Sequence, residues 1–344
     1  MPLRRRQLLA AAALPWLPGC ARQAVDPEAP TRVRVSAVTV PNTPWHRLWL
    51  RFAERAGRLA ADALDVRLHV RAEIGSEEVT LSALRRGRVQ LGGYSLQGTA
   101  SVVPELNVLM APYLFGSLAE IDHVIDRHLT PLFERLFAAR GLALLSWAEV
   151  GWVHLYGRRP FRVPEDVAGV RMRTSTALAQ REFARALGMD GITLPFPEVL
   201  PALQTGLIEG GQSGTGMYAL AGLAREAPVL TRTYHAFDTG VIIANRAWFE
   251  GLRDDRRALL LGSLDPVDEA RADVRESLAR YERELLPSLG ATIVDLDAGE
   301  RARWAATAAE QQRRLVERVG GEAASVLAAI EAGRREYAAI AERG

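Results

Sequence analysis

All 43 lysine-or-arginine positions of this 344-residue chain are arginine, which excludes a Schiff-base lysine, the lysine of a phosphate-binding P-loop and the ATP-positioning lysine of a protein kinase. With 48% hydrophobic and 24% charged residues, the composition is that of a folded globular chain long enough for two domains of ~150 residues, and not of a disordered or multi-span membrane chain. The formal charge of +2 falls to −1 once Arg4, Arg5 and Arg6 are removed ahead of an expected cleavage point, and charges alternate in sign at Arg253-Asp254-Asp255-Arg256-Arg257 and Glu282-Arg283-Glu284, so solvated helix faces and no nucleic-acid partner are expected.

Residues 1–19 read as a signal peptide: a basic start, an apolar run over 8–17, then Leu17-Pro18-Gly19-Cys20. The run is shorter than the ~20 residues a bilayer-spanning helix needs. Arg5-Arg6-Gln7-Leu8-Leu9 resembles the core of a twin-arginine signal. Cys20 is the only cysteine, so an intramolecular disulfide and a cysteine-based metal cage are excluded. Its place after Gly19 resembles a lipoprotein box, which predicts lipidation of Cys20, membrane anchoring, and a tether over 20–31. The body of the chain is expected in the periplasm.

Residues 32–38 alternate as a half-buried strand, and Pro41-Asn42-Thr43-Pro44 breaks it. A helix is predicted over 45–64, with Leu48, Phe52, Ala56 and Leu59 at helical spacing, then a strand over 66–70, a helix over 76–84 opened by Ser76, and a strand over 89–94. This alternation predicts a largely parallel sheet with helices on both faces. Strands follow over 142–156 and 169–174, a helix over 178–187, a short strand over 192–195, a helix over 197–205 and a buried strand over 241–244. Helical spacing runs over 254–286, with Pro266 expected to start or kink a helix, and an alanine- and arginine-rich helical end covers 300–343. Two α/β domains joined by several crossing segments account for this order.

Enzyme readings find little support. Gly214-Thr215-Gly216-Met217-Tyr218-Ala219 satisfies the dinucleotide pattern, and Asp238 lies 22 residues after Gly216. The fingerprint needs a strand before its turn, however, and residues 209–213 read as a poor one. Gly211-Gln212-Ser213-Gly214-Thr215 nearly spells a nucleophile elbow, with Thr215 where a second glycine belongs. Among six histidines, His123 and His128 stand five apart, which does not bring them to one face of an α-helix, so no metal site is predicted. No carboxylate pair stands out as acid and base. Neither catalytic residues nor a cofactor are expected.

Gly169-Val170-Arg171-Met172-Arg173, Phe183-Ala184-Arg185-Ala186-Leu187-Gly188, Pro195-Phe196-Pro197-Glu198-Val199, Ala202-Leu203-Gln204-Thr205-Gly206 and Leu207-Ile208-Glu209-Gly210 form a long ordered series. It resembles the DctP-like solute-binding proteins of tripartite ATP-independent periplasmic (TRAP) transporters. Thr43-Pro44-Trp45, Ala111-Pro112-Tyr113-Leu114-Phe115, Trp147-Ala148-Glu149-Val150-Gly151 and Asn245-Arg246-Ala247-Trp248 extend the resemblance over residues 33–290. It implies a periplasmic-binding-protein-like clamshell of two α/β domains with a central ligand cleft and a long bracing helix. The first domain is expected over 32–150 with 240–278, the second over 151–239 with 279–344. Function is then capture of an organic acid for a membrane permease driven by an ion gradient. The same fold presenting its ligand to a sensor kinase is the alternative.

Within that resemblance, Arg173 aligns with the arginine that grips the ligand carboxylate through a two-pronged ion pair, a role that the planar guanidinium fork suits. Two departures stand out: Val153 takes the place of a second pocket arginine, and Ser213 that of an asparagine. Trp152, His154 and Tyr156 make their strand aromatic, which leans toward a monocarboxylate with an apolar or ring-bearing body; the alternative is that these side chains face the core. Trp45, Tyr94, Gln97, Trp147, Phe196, Gln212 and Tyr218 are further cleft candidates by position, of which only some can point inward. Glu149 is expected to orient a neighbour.

Overall fold

Alternating burial in Thr31–Ala37 (β1), where Val33, Val35 and Ala37 turn inward, starts the first half of the molecule. The computed structural model describes residues 29–343; the signal segment, Cys20 and most of the tether lie outside the described residues. The helix Pro44–Ala60 lays Leu48, Trp49, Phe52, Ala56 and Ala60 against the sheet. Leu64–His69 (β2) pairs parallel with β1. The helix Glu77–Arg85 is capped by the Ser76 hydroxyl, which accepts from the Val79 N–H, and leads to Leu91–Ser95 (β3), parallel to β1 on its other side.

The other strands are Leu142–Gly157 (β4), Arg171–Thr174 (β5), Asp190–Thr193 (β6), Gly210–Gly214 (β7), Val229–Asn245 (β8) and Thr292–Asp295 (β9). One sheet runs through both halves in the order β2-β1-β3-β8-β4-β7-β5-β6, with β9 beside β8. Both outer portions are parallel, as expected, but β8 pairs antiparallel with β3 and β4, and β4 with β7, so the sheet is mixed.

Two strands differ from the sequence expectation. β8 begins at Val229, well before residue 241, because its first half buries Thr231, Thr233 and His235 and so shows no apolar alternation to read. Residues 209–213 are expected to make a poor strand, yet Gly210–Gly214 forms β7. Their glycines serve close packing: a Cβ at Gly210 would strike the Tyr156 carbonyl on neighbouring β4.

Where β4 passes from one half to the other its register with β8 slips at Glu149/Gly151. Gly151 there has φ +108°, and a Cβ on it would stand 2.6 Å from Leu278 Cδ1. Leu278 belongs to a continuous helix over 267–288, started after Pro266 as expected and widened by a π turn at Tyr281–Leu285. This is the bracing helix. On the first half, Asp273 binds Arg51 at 2.9 Å, and Arg275 clasps Glu149 and Asp122, each at 2.7 Å. On the second, Tyr281 and Leu286 enter a core with Tyr156, Leu203 and Leu230, and Glu282 accepts from Thr215 and Arg232.

The chain then crosses back. Trp304 packs with Leu155, Phe161 and Met172 in the second half, whereas Leu315, Ala323, Val326 and Ile330 share a core with Phe133 and Phe137 of the first. The final helix, Ala323–Ala341, lies against Leu118–Val124 and the π turn Ile125–Leu129. That π turn alters the histidine geometry expected from α-helical spacing: the His123 and His128 rings come within 5.7 Å of each other.

Candidate binding cleft

Between the halves lies a cavity of about 630 Å³. Arg173 enters it from β5, held between the buried side chains of Met172 and Thr174. Its residue is 9% exposed. Nε donates to the Leu194 carbonyl at 3.1 Å, and the guanidinium lies 5.9 Å from the Phe196 ring centre. No carboxylate pairs with it among the described residues, and it is the one basic residue lining the cavity among them. Burial pulls its pKa below the ordinary arginine value, with the Tyr156 phenol acting in the opposite direction. A desolvated cation without a counter-charge costs several kcal/mol, and an anion docked on the free end of its fork removes that cost.

A second polar group faces the same space. Asp238, on β8, lines the cavity and accepts a hydrogen bond from Gln97 Nε2 at 2.8 Å through Oδ2, while its buried Oδ1 has no partner among the described residues. Burial pushes its pKa up to about 6; Gln97 and the Thr239 N–H lower it, and the nearby Glu77 charge raises it. Glu77 itself is tied down, accepting from the Ser95 N–H and, at 2.6 Å, from the Ser95 hydroxyl. The cavity is thus polarised, with a cation on the second half and a carboxyl group with a spare oxygen on the strand that joins the halves.

Seven residues expected at the cleft line it: Arg173, Trp45, Tyr94, Gln97, Phe196, Gln212 and Ser213. Trp45 is fixed by Nε1 donating to the Glu149 carbonyl at 2.7 Å, Tyr94 by a 2.7 Å bond between its hydroxyl and that of Ser36, and Gln212 by its side-chain oxygen accepting from His235 Nε2 at 2.9 Å. Val153 lines the cavity as well, so an apolar wall stands where the resemblance places a second arginine.

The other four sit elsewhere. Trp147 is in the first-half core, donating to the Thr130 hydroxyl at 2.9 Å and edge-on to Phe133. Tyr218 donates to the Ala227 carbonyl at 2.7 Å in the second-half core. Trp152 packs edge-on to Phe237 and Tyr234. His154 is buried, accepts the Tyr234 N–H through Nδ1, and is pushed down to about 3 by burial, hence neutral. The bulge at Gly151 explains the last two. Ala148 and Val150 face the cavity, and strict alternation would send residues 152 and 154 there also. One slipped rung reverses the faces, so Val153 points in and Trp152 and His154 point away.

Asp238 escaped the sequence reading as a ligand contact because its strand was not recognised; only a carboxyl residue within a run of β-branched and aromatic residues marks it. Glu149 orients neighbours as expected, through its ion pair with Arg275 and its carbonyl bond to Trp45. The dinucleotide pattern does follow a strand and open the helix Thr215–Leu220, contrary to expectation. Yet a Cβ at Gly216 would meet the Trp45 ring at 2.8 Å, so this glycine makes room for an aromatic wall, and Asp238 is engaged in the cleft.

A family model for DctP, described as bacterial extracellular solute-binding protein, family 7, matches residues 35–318. The C4-dicarboxylate-binding periplasmic protein DctP of Rhodobacter capsulatus is 25% identical over 313 residues, spanning 89% of this chain and 92% of that protein. The ectoine-binding periplasmic protein TeaA of Halomonas elongata is 26% identical over 265 residues, spanning 74% and 76%. A solved TRAP periplasmic solute-binding protein from Anaerococcus prevotii, with bound α/β-D-glucuronate, superposes with a TM-score of 0.81 at 22% identity, covering 89% of this chain and 99% of that one. At that identity the likeness speaks for the fold, a two-domain clamshell.

Proposed function

The chain belongs to the bacterial extracellular solute-binding proteins of family 7, which bind solutes for transport without transforming them, and on that premise we propose which solute it takes. The ligand is a small organic acid whose carboxylate docks on Arg173 and whose other end donates a hydrogen bond, from a hydroxyl or ammonium group, to Asp238. The observation that carries this reading is the buried guanidinium of Arg173, which has no counter-charge among the described residues. Support comes from relatives named for a C4-dicarboxylate and for ectoine, and from the neighbour holding D-glucuronate. With Val153 in place of a second cation, one carboxylate suffices. The closed form hands the ligand to membrane permease subunits. Twin-arginine export through Arg5-Arg6 and lipid anchoring at Cys20 belong to the same proposal.

A thermal-shift screen of the purified protein against organic acids and their amides tests it. Acids are expected to raise Tm and the matching amides to leave it unmoved; amides acting as well as acids would overturn the assignment.

The second contact is read by pH. The folded chain keeps the Asp238 proton where the unfolded chain has released it, so ligand-free stability contributed by this group falls as pH rises from about 4 to about 6. A donor on the ligand favours the ionised carboxylate. Affinity for hydroxy or amino acids is therefore expected to rise through about pH 6 and then level off, and Asp238→Asn to flatten that profile, both followed by calorimetry. An unchanged profile in the variant would remove Asp238 from the site while leaving the Arg173 reading intact.

A further inference from the structure

We infer that His123, His128 and Glu336 form a binding site for a first-row divalent cation, Zn²⁺ in preference, outside the ligand cleft. None of the three lines the cavity. His123 lies in the last turn of Leu118–Val124 and His128 in the π turn Ile125–Leu129. On an uninterrupted α-helix, five residues would set them about 140° apart. The wider turn, marked by the Thr130 N–H donating to the Ile125 carbonyl five residues back, returns both imidazoles to one face.

Glu336 reaches that face from the final helix. Its Oε2 is 3.0 Å from His128 Nε2 and its Oε1 is 3.4 Å from His123 Nε2, and all three ligand atoms lie within 4.8 Å of one another. Tetrahedral zinc with bonds of about 2.0–2.1 Å to nitrogen and oxygen sets neighbouring ligand atoms roughly 3.3–3.4 Å apart. Only small side-chain rotations separate this cluster from that arrangement.

A separate observation points to an occupant. His123 Nε2 is buried without a hydrogen-bond partner among the described residues; the distance to Glu336 makes no bond of acceptable geometry. The His123 side chain is 9% exposed, close to Tyr337, so the orphaned nitrogen has no access to water in exchange. A metal bound there would use its lone pair. His128 at 21% and Glu336 at 43% exposure leave an entry path and room for a water as fourth ligand. The competing cation, Arg127, approaches Glu336 only to 3.6 Å and is 66% exposed, so it can withdraw. Two imidazoles and one carboxylate are borderline donors that suit zinc over calcium or magnesium.

Bound metal would clip the final helix to the segment that carries Asp122, whose ion pair with Arg275 holds the bracing helix. The full chain is to be stripped with a chelator and titrated with Zn²⁺ against a chromophoric zinc indicator, with Tm followed in parallel. Uptake of one equivalent at micromolar free zinc and a Tm rise of about 3 °C are expected. The double variant His128→Gln, Glu336→Gln is expected to lose about a hundredfold or more in zinc affinity, and His69→Gln to lose nothing. His123→Gln, which removes the buried ligand alone, gives the same loss and serves if the double variant fails to fold. No uptake by the unaltered chain, or equal uptake by the His123→Gln chain, overturns the site.

Discussion

Arg173→Ala is expected to weaken binding of the carboxylate ligand by two to three powers of ten, or about 3–4 kcal/mol. The size follows from the surroundings. The residue is 9% exposed, its one side-chain hydrogen bond among the described residues goes from Nε to the Leu194 carbonyl, and the Phe196 ring flanks the charge. No second basic residue lines the cavity among the described residues, so nothing takes over when the guanidinium is removed. Arg173→Lys should recover little, because an ammonium lacks the planar fork that meets both carboxylate oxygens. Ligand-free stability supplies the control. Removing an uncompensated buried cation relieves a cost, so the melting temperature of the empty variant should hold or rise while the ligand-induced shift disappears. A fall in both would mark Arg173 as a structural residue and sink the assignment.

The second large effect is expected at Gly151→Ala, a loss of about 2–5 kcal/mol in unfolding free energy measured by urea denaturation. Two costs combine. A φ of +108° lies where residues with a side chain are strained by roughly 1–3 kcal/mol. The added Cβ would also stand 2.6 Å from Leu278 Cδ1 on the bracing helix, an overpacking that typically costs about 1–3 kcal/mol. This glycine sits where the sheet passes between the halves that wall the cavity, so the variant should also change ligand affinity. A stability change below about 0.5 kcal/mol would show that helix and strand separate freely there.

Much of the architecture was legible because its signals are local. Ser76 capping a helix, Pro266 opening another, and alternating apolar residues in 32–38 each dictate structure within a few residues. Trp45, Tyr94, Gln97 and Phe196 could be set near the cleft by their positions at strand ends and loop breaks, and Arg173 because it aligns with the carboxylate-gripping arginine of the resemblance. What escaped depends on partners distant in sequence. Trp152 and His154 turn away from the cavity because of a bulge set by β8 and Leu278. β7 tolerates its glycines because Tyr156 needs the space. Asp238 lies in a strand whose buried threonine and histidine are satisfied by tertiary hydrogen bonds, the Phe161 N–H donating to the Thr231 hydroxyl and His235 Nε2 to the Gln212 side-chain oxygen. The approach of His123 to His128 depends on one widened helical turn that no spacing rule for α-helices contains.

The ladder between β4 and β8 joins Leu142 to Asn245 at one end and Gly157 to Val229 at the other, and both halves are built on it. Neither half is therefore a piece that can be made first and joined later. On the growing chain, β3 has an open edge until residues 240–244 arrive to cover it, and an uncovered edge invites pairing with other chains. About 245 of the 344 residues must emerge before the β4–β8 ladder can be completed, and β9 joins the sheet only after residue 295; such long-range pairing is slow. The two walls of the cleft thus share strands whose pairing partners lie far apart in the chain, so completing one half also completes the other.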